Sequence, residues 1–211
     1  MSEARDQLAA GIEALGLTVP PGATQKLVDY LELLARWNRV HNLTAVRDVS
    51  QMVPRHLLDS LAVWPHVHGA SLLDVGSGAG LPGLPLAIAD PAIEVCLLDA
   101  RGKRIGFLRH VKTVLGLANV SIVHARVEDY RAERRFDTVI ARAFSSIGNL
   151  LAAAGHLCAA DGRVLAMKGA YPGEEIAAMP AGWRLQQTLP LQVPLLDEQR
   201  HLLIFEAESS E

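Results

Sequence analysis

Two cysteines in 211 residues, and aromatic side chains at only 5%, leave little basis for a disulfide-stapled or aromatic-rich fold. Cys96 and Cys158 both lie in apolar runs and read as buried free thiols, which suits a reducing compartment. No apolar run reaches the ~20 residues of a membrane span, and the first residues show no signal-peptide pattern. A cytoplasmic chain with no membrane partner is therefore expected. The eight histidines lack H-E-x-x-H or any comparable spacing, so no metal is expected. There is no internal repeat and no low-complexity tract. Half the residues are nonetheless apolar, and a chain of this length buries on the order of 70% of its unfolded surface without staples.

Acidic excess is slight, with a net charge of −3, and this speaks against a general nucleic-acid binder. The distribution of the basic groups says more than their sum. Sixteen of the twenty are arginine. Arg101, Lys103, Arg104, Arg109, His110 and Lys112 form one cluster, Arg126, Arg131, Arg134 and Arg135 a second, and Arg36, Arg39, Arg47 and Arg55 a third. Each reads either as a solvated face or as a phosphate surface; the planar, bidentate fork of arginine suits the latter.

The run from Leu72 to Gly83 is the most informative stretch. An apolar strand ends in a carboxylate, Asp74, and a glycine-rich turn leads into a helix with Pro82 suited to its first position. Backbone N–H groups of such a turn, and the positive end of the next helix, face a ligand. Two frames compete. Gly78, Gly80 and Gly83 fit the dinucleotide pattern G-x-G-x-x-G, the frame a nicotinamide enzyme would use, but stand two residues too far from the strand. Gly76, Gly78 and Gly80 abut it. The carboxylate of Asp74 would sit badly beside a pyrophosphate and well beside the cationic end of S-adenosylmethionine.

Later strands carry matching signals. Glu94 to Asp99 is apolar and ends in an acid nineteen residues past Gly80, near the spacing of a ribose-binding carboxylate. Asp99 reads as that ligand or as the cap of a helix starting near Gly102. The loop after the strand Val120–Val123 offers Val127 and Glu128 to a base edge, or else is a solvated acidic turn. Arg142 follows the strand from Phe136 to Ala141 and points into the crevice where open α/β sheets bind ligands, as an anion clamp or as an ion-pair partner of Asp74. Lys168 closes a strand from Gly162 and either touches substrate phosphate or caps the strand end.

The remaining pattern is regular. Helices are expected over 3–15, from Pro20-Pro21 to about Asn38, and from about Pro54 to Trp64, with a turn at Asn42-Leu43-Thr44. Leu27, Leu31 and Leu34 mark one apolar stripe, and Leu57, Leu58 and Leu61 another. From Ser71 strands and helices alternate, predicting a mostly parallel doubly wound sheet. Trp183–Gln192 and His201–Ala207 have no helical crossover between them and should pair antiparallel. The expected architecture is α/β, a Rossmann-like class I methyltransferase fold: a mostly parallel seven-stranded sheet with an antiparallel C-terminal hairpin. A helical extension over 1–66 packs on a cofactor-binding domain over 67–211, forming a single unit.

Missing chemistry narrows the acceptor. No Asp/Asn-Pro-Pro-aromatic loop follows the fourth strand, as exocyclic amine methylation would require, and neither cysteine is placed as a nucleophile for pyrimidine carbon. The N7 of guanine already carries a lone pair and needs neither; positioning alone can lower such a barrier by roughly 7–11 kcal/mol.

Trp37-Asn38, Asn42-Leu43-Thr44, Arg55 to Ser60, Asp74 to Gly83, Gly102-Lys103-Arg104, Arg142-Ala143-Phe144 and Met167-Lys168-Gly169 occur in order. Together they resemble the bacterial small-subunit ribosomal RNA methyltransferase G family, also called glucose-inhibited division protein B. The resemblance implies methyl transfer from S-adenosylmethionine to N7 of one guanosine in 16S rRNA, on the free rRNA or the small ribosomal subunit. It implies cofactor contacts at Gly76, Leu81, Val127-Glu128 and Arg142. Asp74, Gly78, Gly80 and Asp99 join them from the motif, with Arg142 and Lys168 near the reacting centre. Arg55, His56, Lys103, Arg104 and Lys168 are expected to meet RNA. A different RNA or a small molecule is the alternative acceptor, and a monomer is expected. His41, where many members carry tyrosine, and Ala100-Arg101, where serine is common, depart from the pattern.

Overall fold

Alternating apolar segments after Ser71 form seven strands in the computed structural model, which describes residues 2–208. Residue 1 and residues 209–211, the outer ends of the two expected segments, lie outside the described residues. The strands are β1 (Ser71–Val75), β2 (Glu94–Asp99), β3 (Val120–His124), β4 (Phe136–Arg142), β5 (Cys158–Lys168), β6 (Trp183–Pro190) and β7 (His201–Ala207). Their order is β3-β2-β1-β4-β5-β7-β6. The first five run parallel, and β7 inserts antiparallel to both β5 and β6. Strand order reverses between β1 and β4, so their carboxyl ends flank the crevice where ligands of open α/β sheets bind.

Helices α1 (Ser2–Ala14), α2 (Ala23–His41), α3 (Val49–Met52) and α4 (Asp59–Leu61) precede the sheet. α5 (Gly83–Ala89), α6 (Gly102–Leu115), α7 (Ile147–Ala154) and α8 (Gly173–Ala177) follow. Leu8, Leu27 and Leu31 of the N-terminal helices share one apolar cluster with Leu84, Leu97, Ile140 and Leu165. Leu73, Val139, Leu150 and Phe205 form a second cluster on the opposite sheet face. The two faces follow from strand alternation: Leu72 and Leu73, like Ile140 and Val139, point opposite ways.

Several boundaries differ from the sequence pattern. α2 continues to His41 and stops where Asn42 turns left-handed at φ 49°, a conformation asparagine tolerates. The helix expected from Pro54 starts at Val49 instead, because the Asp48 side chain accepts the Ser50 N–H at 2.9 Å. Pro54 then falls inside it. With no N–H to donate, it lies in a widened π turn over Val53–Leu58 that joins α3 to α4. Pro82 precedes α5 rather than opening it, since the first helical N–H, that of Gly83, is taken by Asp74. β5 begins at Cys158, four residues before Gly162, with a break in its register against β4. β6 ends at Pro190 rather than Gln192.

Candidate active site

The turn after β1 is built by backbone hydrogen bonds. Gly76 and Ser77 donate to the Leu98 carbonyl at 2.8 and 3.1 Å, and the Ser77 hydroxyl donates back to Asp74 O at 2.9 Å. Gly76 has φ +67°, and a Cβ there would meet no atom within 4 Å. It therefore fronts open space, and a side chain would both strain the backbone and fill that space. Gly83 is needed for a different reason. A Cβ on it would collide with Leu97 and with the Asp74 carboxylate beneath the helix start.

Asp74 is fully buried. Its Oδ2 accepts the Gly83 N–H at 2.9 Å, and its Oδ1 has no partner among the described residues. Burial pushes its pKa up to about 7, opposed by the Gly83 hydrogen bond and the positive field of Arg142. A buried acceptor left vacant is costly, and a cation beside it would remove that cost. This vacancy, with the open space at Gly76, fits the cationic end of S-adenosylmethionine.

Asp99 ties two elements together. Its Oδ2 accepts from Gly78 N and Arg104 Nη1, both at 2.9 Å, and its Oδ1 accepts from Arg101 N at 2.8 Å. Arg101, not Asp99, stands at the N-cap of α6. Arg104, expected at an RNA surface, is folded inward onto Asp99 by this ion pair. Lys103 is exposed beside it. Val75, Gly76, Asp99, Arg104, Val127, Glu128 and Phe144 line a cavity of about 200 Å³. Leu81 is buried in the core behind the turn, 5% exposed, and Gly80 presses against Leu84 and Leu108.

A second cavity of about 450 Å³ opens at the ends of β4 and β5, lined by Thr44, Arg55, His56, Asp59, Arg142, Lys168 and Arg200 among others. The segment Arg142-Ala143-Phe144 stands between the two: Arg142 and Ala143 border the second, Phe144 the first. Ala143 holds φ +59°, an uncommon conformation for a residue with a Cβ. A larger space of about 600 Å³, bounded by Ser71, Glu94, Val120 and Phe136, lies where four strands begin, the edge opposite the crevice.

Arg142 is not paired with Asp74. Its Nη1 donates to Asp59 Oδ2 and to the Arg55 carbonyl, each at 3.0 Å. Asp59, 2% exposed, accepts Arg200 Nε on its other oxygen at 3.0 Å. Arg200 also meets Glu198 at 2.9 Å, and Glu198 meets Arg55 at 2.6 Å. The ion pairs thus run in a chain from Arg142 through Asp59, Arg200 and Glu198 to Arg55, whose backbone carbonyl returns to Arg142. Burial raises the Asp59 pKa, and the two guanidiniums pull it back down. Lys168 donates to Glu175 at 2.8 Å, and the same carboxylate accepts the Ile147 N–H at 2.7 Å. His56 is 3% exposed, with Nε2 2.9 Å from the Thr44 hydroxyl. Burial lowers its pKa to about 4, so it is neutral and hidden rather than a cation offered to RNA.

Asp59, Arg200 and Glu175 escaped the sequence reading. Asp59 had a signal, an acid set within the apolar stripe of Leu57, Leu58 and Leu61. Arg200 and Glu175 had none. Among the described residues no group of His, Cys, Asp and Glu could hold a metal ion, and no helix is long and apolar enough to cross a membrane.

The family model described as "GidB: rRNA small subunit methyltransferase G" matches residues 23–203. Proteins called ribosomal RNA small subunit methyltransferase G are similar along nearly the whole chain. That of Alkalilimnicola ehrlichii is 52% identical over 95% of this chain and 91% of its own length. That of Methylobacillus flagellatus is 51% identical over 96% and 98%. Among solved structures, the glycopeptide N-methyltransferase MtfA complexed with S-adenosyl-L-homocysteine aligns at TM-score 0.60 and 11% identity, over 72% of this chain and 87% of that one. TrmN from Thermus thermophilus aligns at 0.57 and 19%, over 82% of this chain and 52% of that one. At such identities these structures share the fold.

Proposed function

Because the chain belongs to the rRNA small subunit methyltransferase G family, we propose that it moves a methyl group from S-adenosylmethionine to N7 of a guanosine in 16S rRNA. The observation that carries the reading is the pair of cavities meeting at Arg142–Phe144, one edged by the glycine turn and the other by cations. When bound, the cofactor supplies an electrophilic methyl on a sulfonium.

The chain's own groups then have positioning roles. Asp74 Oδ1 accepts the cationic end, the Gly76–Gly80 backbone approaches it closely, and Leu81 backs the turn. Asp99, which already accepts three hydrogen bonds, retains one acceptor position on Oδ1 for a ribose hydroxyl, and Val127 and Glu128 border the base. Arg142 and Lys168 hold the acceptor through its phosphate or base oxygen, with Arg55 at the cavity mouth. Asp59 in the second cavity is held by Arg142 and Arg200, and Glu175 is held by Lys168, so neither carboxylate is a free general base. Guanine N7 asks for none. Alignment of two bound reactants supplies the acceleration, roughly 7–11 kcal/mol where the geometry is near attack. The chain acts in the cytoplasm as a monomer.

Transfer of tritium from labelled cofactor to 16S rRNA or small subunits, followed by mapping of the modified base, tests the reading. Label on a small metabolite and none on either RNA substrate would overturn it.

A further inference from the structure

α2 and α6 pack side by side, and their contact leaves a ring cluster at the surface. Trp37 lies 5.1 Å from His41, 5.5 Å from Phe107 and 5.6 Å from His110, centroid to centroid. Phe107 is buried beneath; Trp37 and His41 are half-buried, and His110 is exposed. Val40, three residues after Trp37, is 73% exposed, and Val114, four after His110, is 54% exposed. Gly106, in the middle of α6, would meet nothing within 4 Å if it carried a Cβ. Neither packing nor a left-handed backbone explains a residue that weakens the helix; its effect is a notch one turn before His110.

Charge is segregated on this side of the molecule. Residues 33–47 and 100–127 contain no aspartate or glutamate, in a chain whose net charge is negative. Arg36 and Arg39 share the turn of Trp37, Lys103 lies two turns before His110, and Arg109 adjoins it. Lys103, Arg109 and Arg39 are exposed and form no ion pair among the described residues. The surface also joins the crevice at both ends. α2 leads through Asn42 into Thr44 on one cavity, and α6 begins at Arg101 and Arg104 on the other.

An exposed ring backed by half-buried ones and edged by cations suits single-stranded nucleic acid, whose bases stack while its phosphates are neutralised. We propose that this α2–α6 face is a second RNA site, where an unpaired base next to the target stacks on His110 and its ring cluster. Lys103 and Arg39 hold the flanking phosphates. The proposal rests on the rRNA reading above and adds a site outside the two cavities of the crevice.

The test is methyl transfer to protein-free 16S rRNA, with filter binding of a single-stranded rRNA fragment alongside. Exposed His110→Ala should raise KM and the fragment Kd about ten-fold while leaving kcat and cofactor affinity unchanged. His110→Phe should restore both to within about two-fold, because stacking needs a ring and not a proton. Lys103→Gln should lessen the salt dependence of binding by about one unit of log–log slope. Unchanged RNA binding in His110→Ala, or no rescue by phenylalanine, overturns the site. A defect seen with ribosomal particles but not with naked rRNA also overturns it, assigning the face to a protein. If the parent methylates no rRNA, the functional reading fails separately, and the fragment Kd still decides this site.

Discussion

Replacing Asp74 by asparagine should move two measurements in opposite directions. In the free chain the carboxyl is fully buried, accepts one hydrogen bond, and is lifted from 3.8 to about 7. An acid whose pKa is higher folded than unfolded keeps its proton in the fold. Stability is then greatest below about pH 4, declines as pH rises toward 7, and is level above. The span corresponds to about 4 kcal/mol of lost stability at alkaline pH. An amide removes that cost and keeps an oxygen for the Gly83 N–H. Its NH₂ inherits the vacant position of Oδ1, at a cost of about 1–3 kcal/mol. The net expectation is a gain of about 1–3 kcal/mol at pH 8 that shrinks toward acid pH.

Cofactor affinity should fall instead. A charge-assisted hydrogen bond to the cationic end is worth about 1.5–3 kcal/mol, so the dissociation constant should rise about 10- to 100-fold. Urea unfolding at pH 5 and pH 8, with calorimetric titration of S-adenosylmethionine, reads both quantities. A variant that is less stable at pH 8 and binds the cofactor as tightly as the parent would refute the reasoning, because Asp74 would then be a structural acid only.

Three further perturbations probe the surrounding groups. Asp59→Asn leaves Arg142 and Arg200 facing one another. The ~3–5 kcal/mol typical of breaking a buried pair is lowered to about 2–3 kcal/mol by their partial exposure, and kcat/KM should fall with it; chemical denaturation at the parent's full stability would contradict this. His56, neutral in the fold with a pKa near 4, favours the native state fully above pH 6.5 and loses that contribution as pH falls toward 4, up to about 3 kcal/mol. Asp74 pulls the other way over part of this range, so the comparison is the slope of stability against pH in the parent and in His56→Gln, which should differ by that amount; parallel slopes would exclude the effect. Gly76→Ala should cost only about 1 kcal/mol of stability for its left-handed backbone yet abolish cofactor binding by calorimetry.

The strands and the glycine turn were legible because their signals are local. Period-two apolar runs, acids at strand ends and glycine spacing each lie within a dozen residues, and the order of the sheet follows from connection rules. Pairings between distant segments were not legible. Arg142 carried a strong positional signal, but its partner Asp59 lies 83 residues earlier and Arg200 lies 141 residues from Asp59. Charge alone does not choose among 23 acids. His56 shows a second limit. Its place among arginines suggested an RNA contact, whereas the π turn around Pro54 rotates it into the interior. A helix drawn to begin at Pro54 could not anticipate that rotation, because the signal for the true start, Asp48, lies outside the apolar stripe.

The buried pairing of Asp59 also bears on what the N-terminal helices are for. Arg142 belongs to β4, Arg200 to the loop before β7, and Asp59 to α4; three segments from the two ends and the middle of the chain converge on one carboxylate. Two arginines are thereby held side by side at a cavity whose proposed guest is polyanionic, and their mutual repulsion is offset before the guest arrives. Without Asp59 the cavity would carry more positive charge, and phosphate would be attracted more strongly at long range. The guanidinium of Arg142, however, would keep only the Arg55 carbonyl to direct it. A reaction that depends on alignment rather than on a general base favours the second property over the first. The shared apolar cluster of Leu58 and Leu61 with Leu84 and Ile140 serves the same end, since it fixes the helix bearing Asp59 against the strand bearing Arg142. The helices before Ser71 are in this sense part of the proposed reacting centre's geometry, supplying through one buried acid the orientation that the sheet alone does not provide.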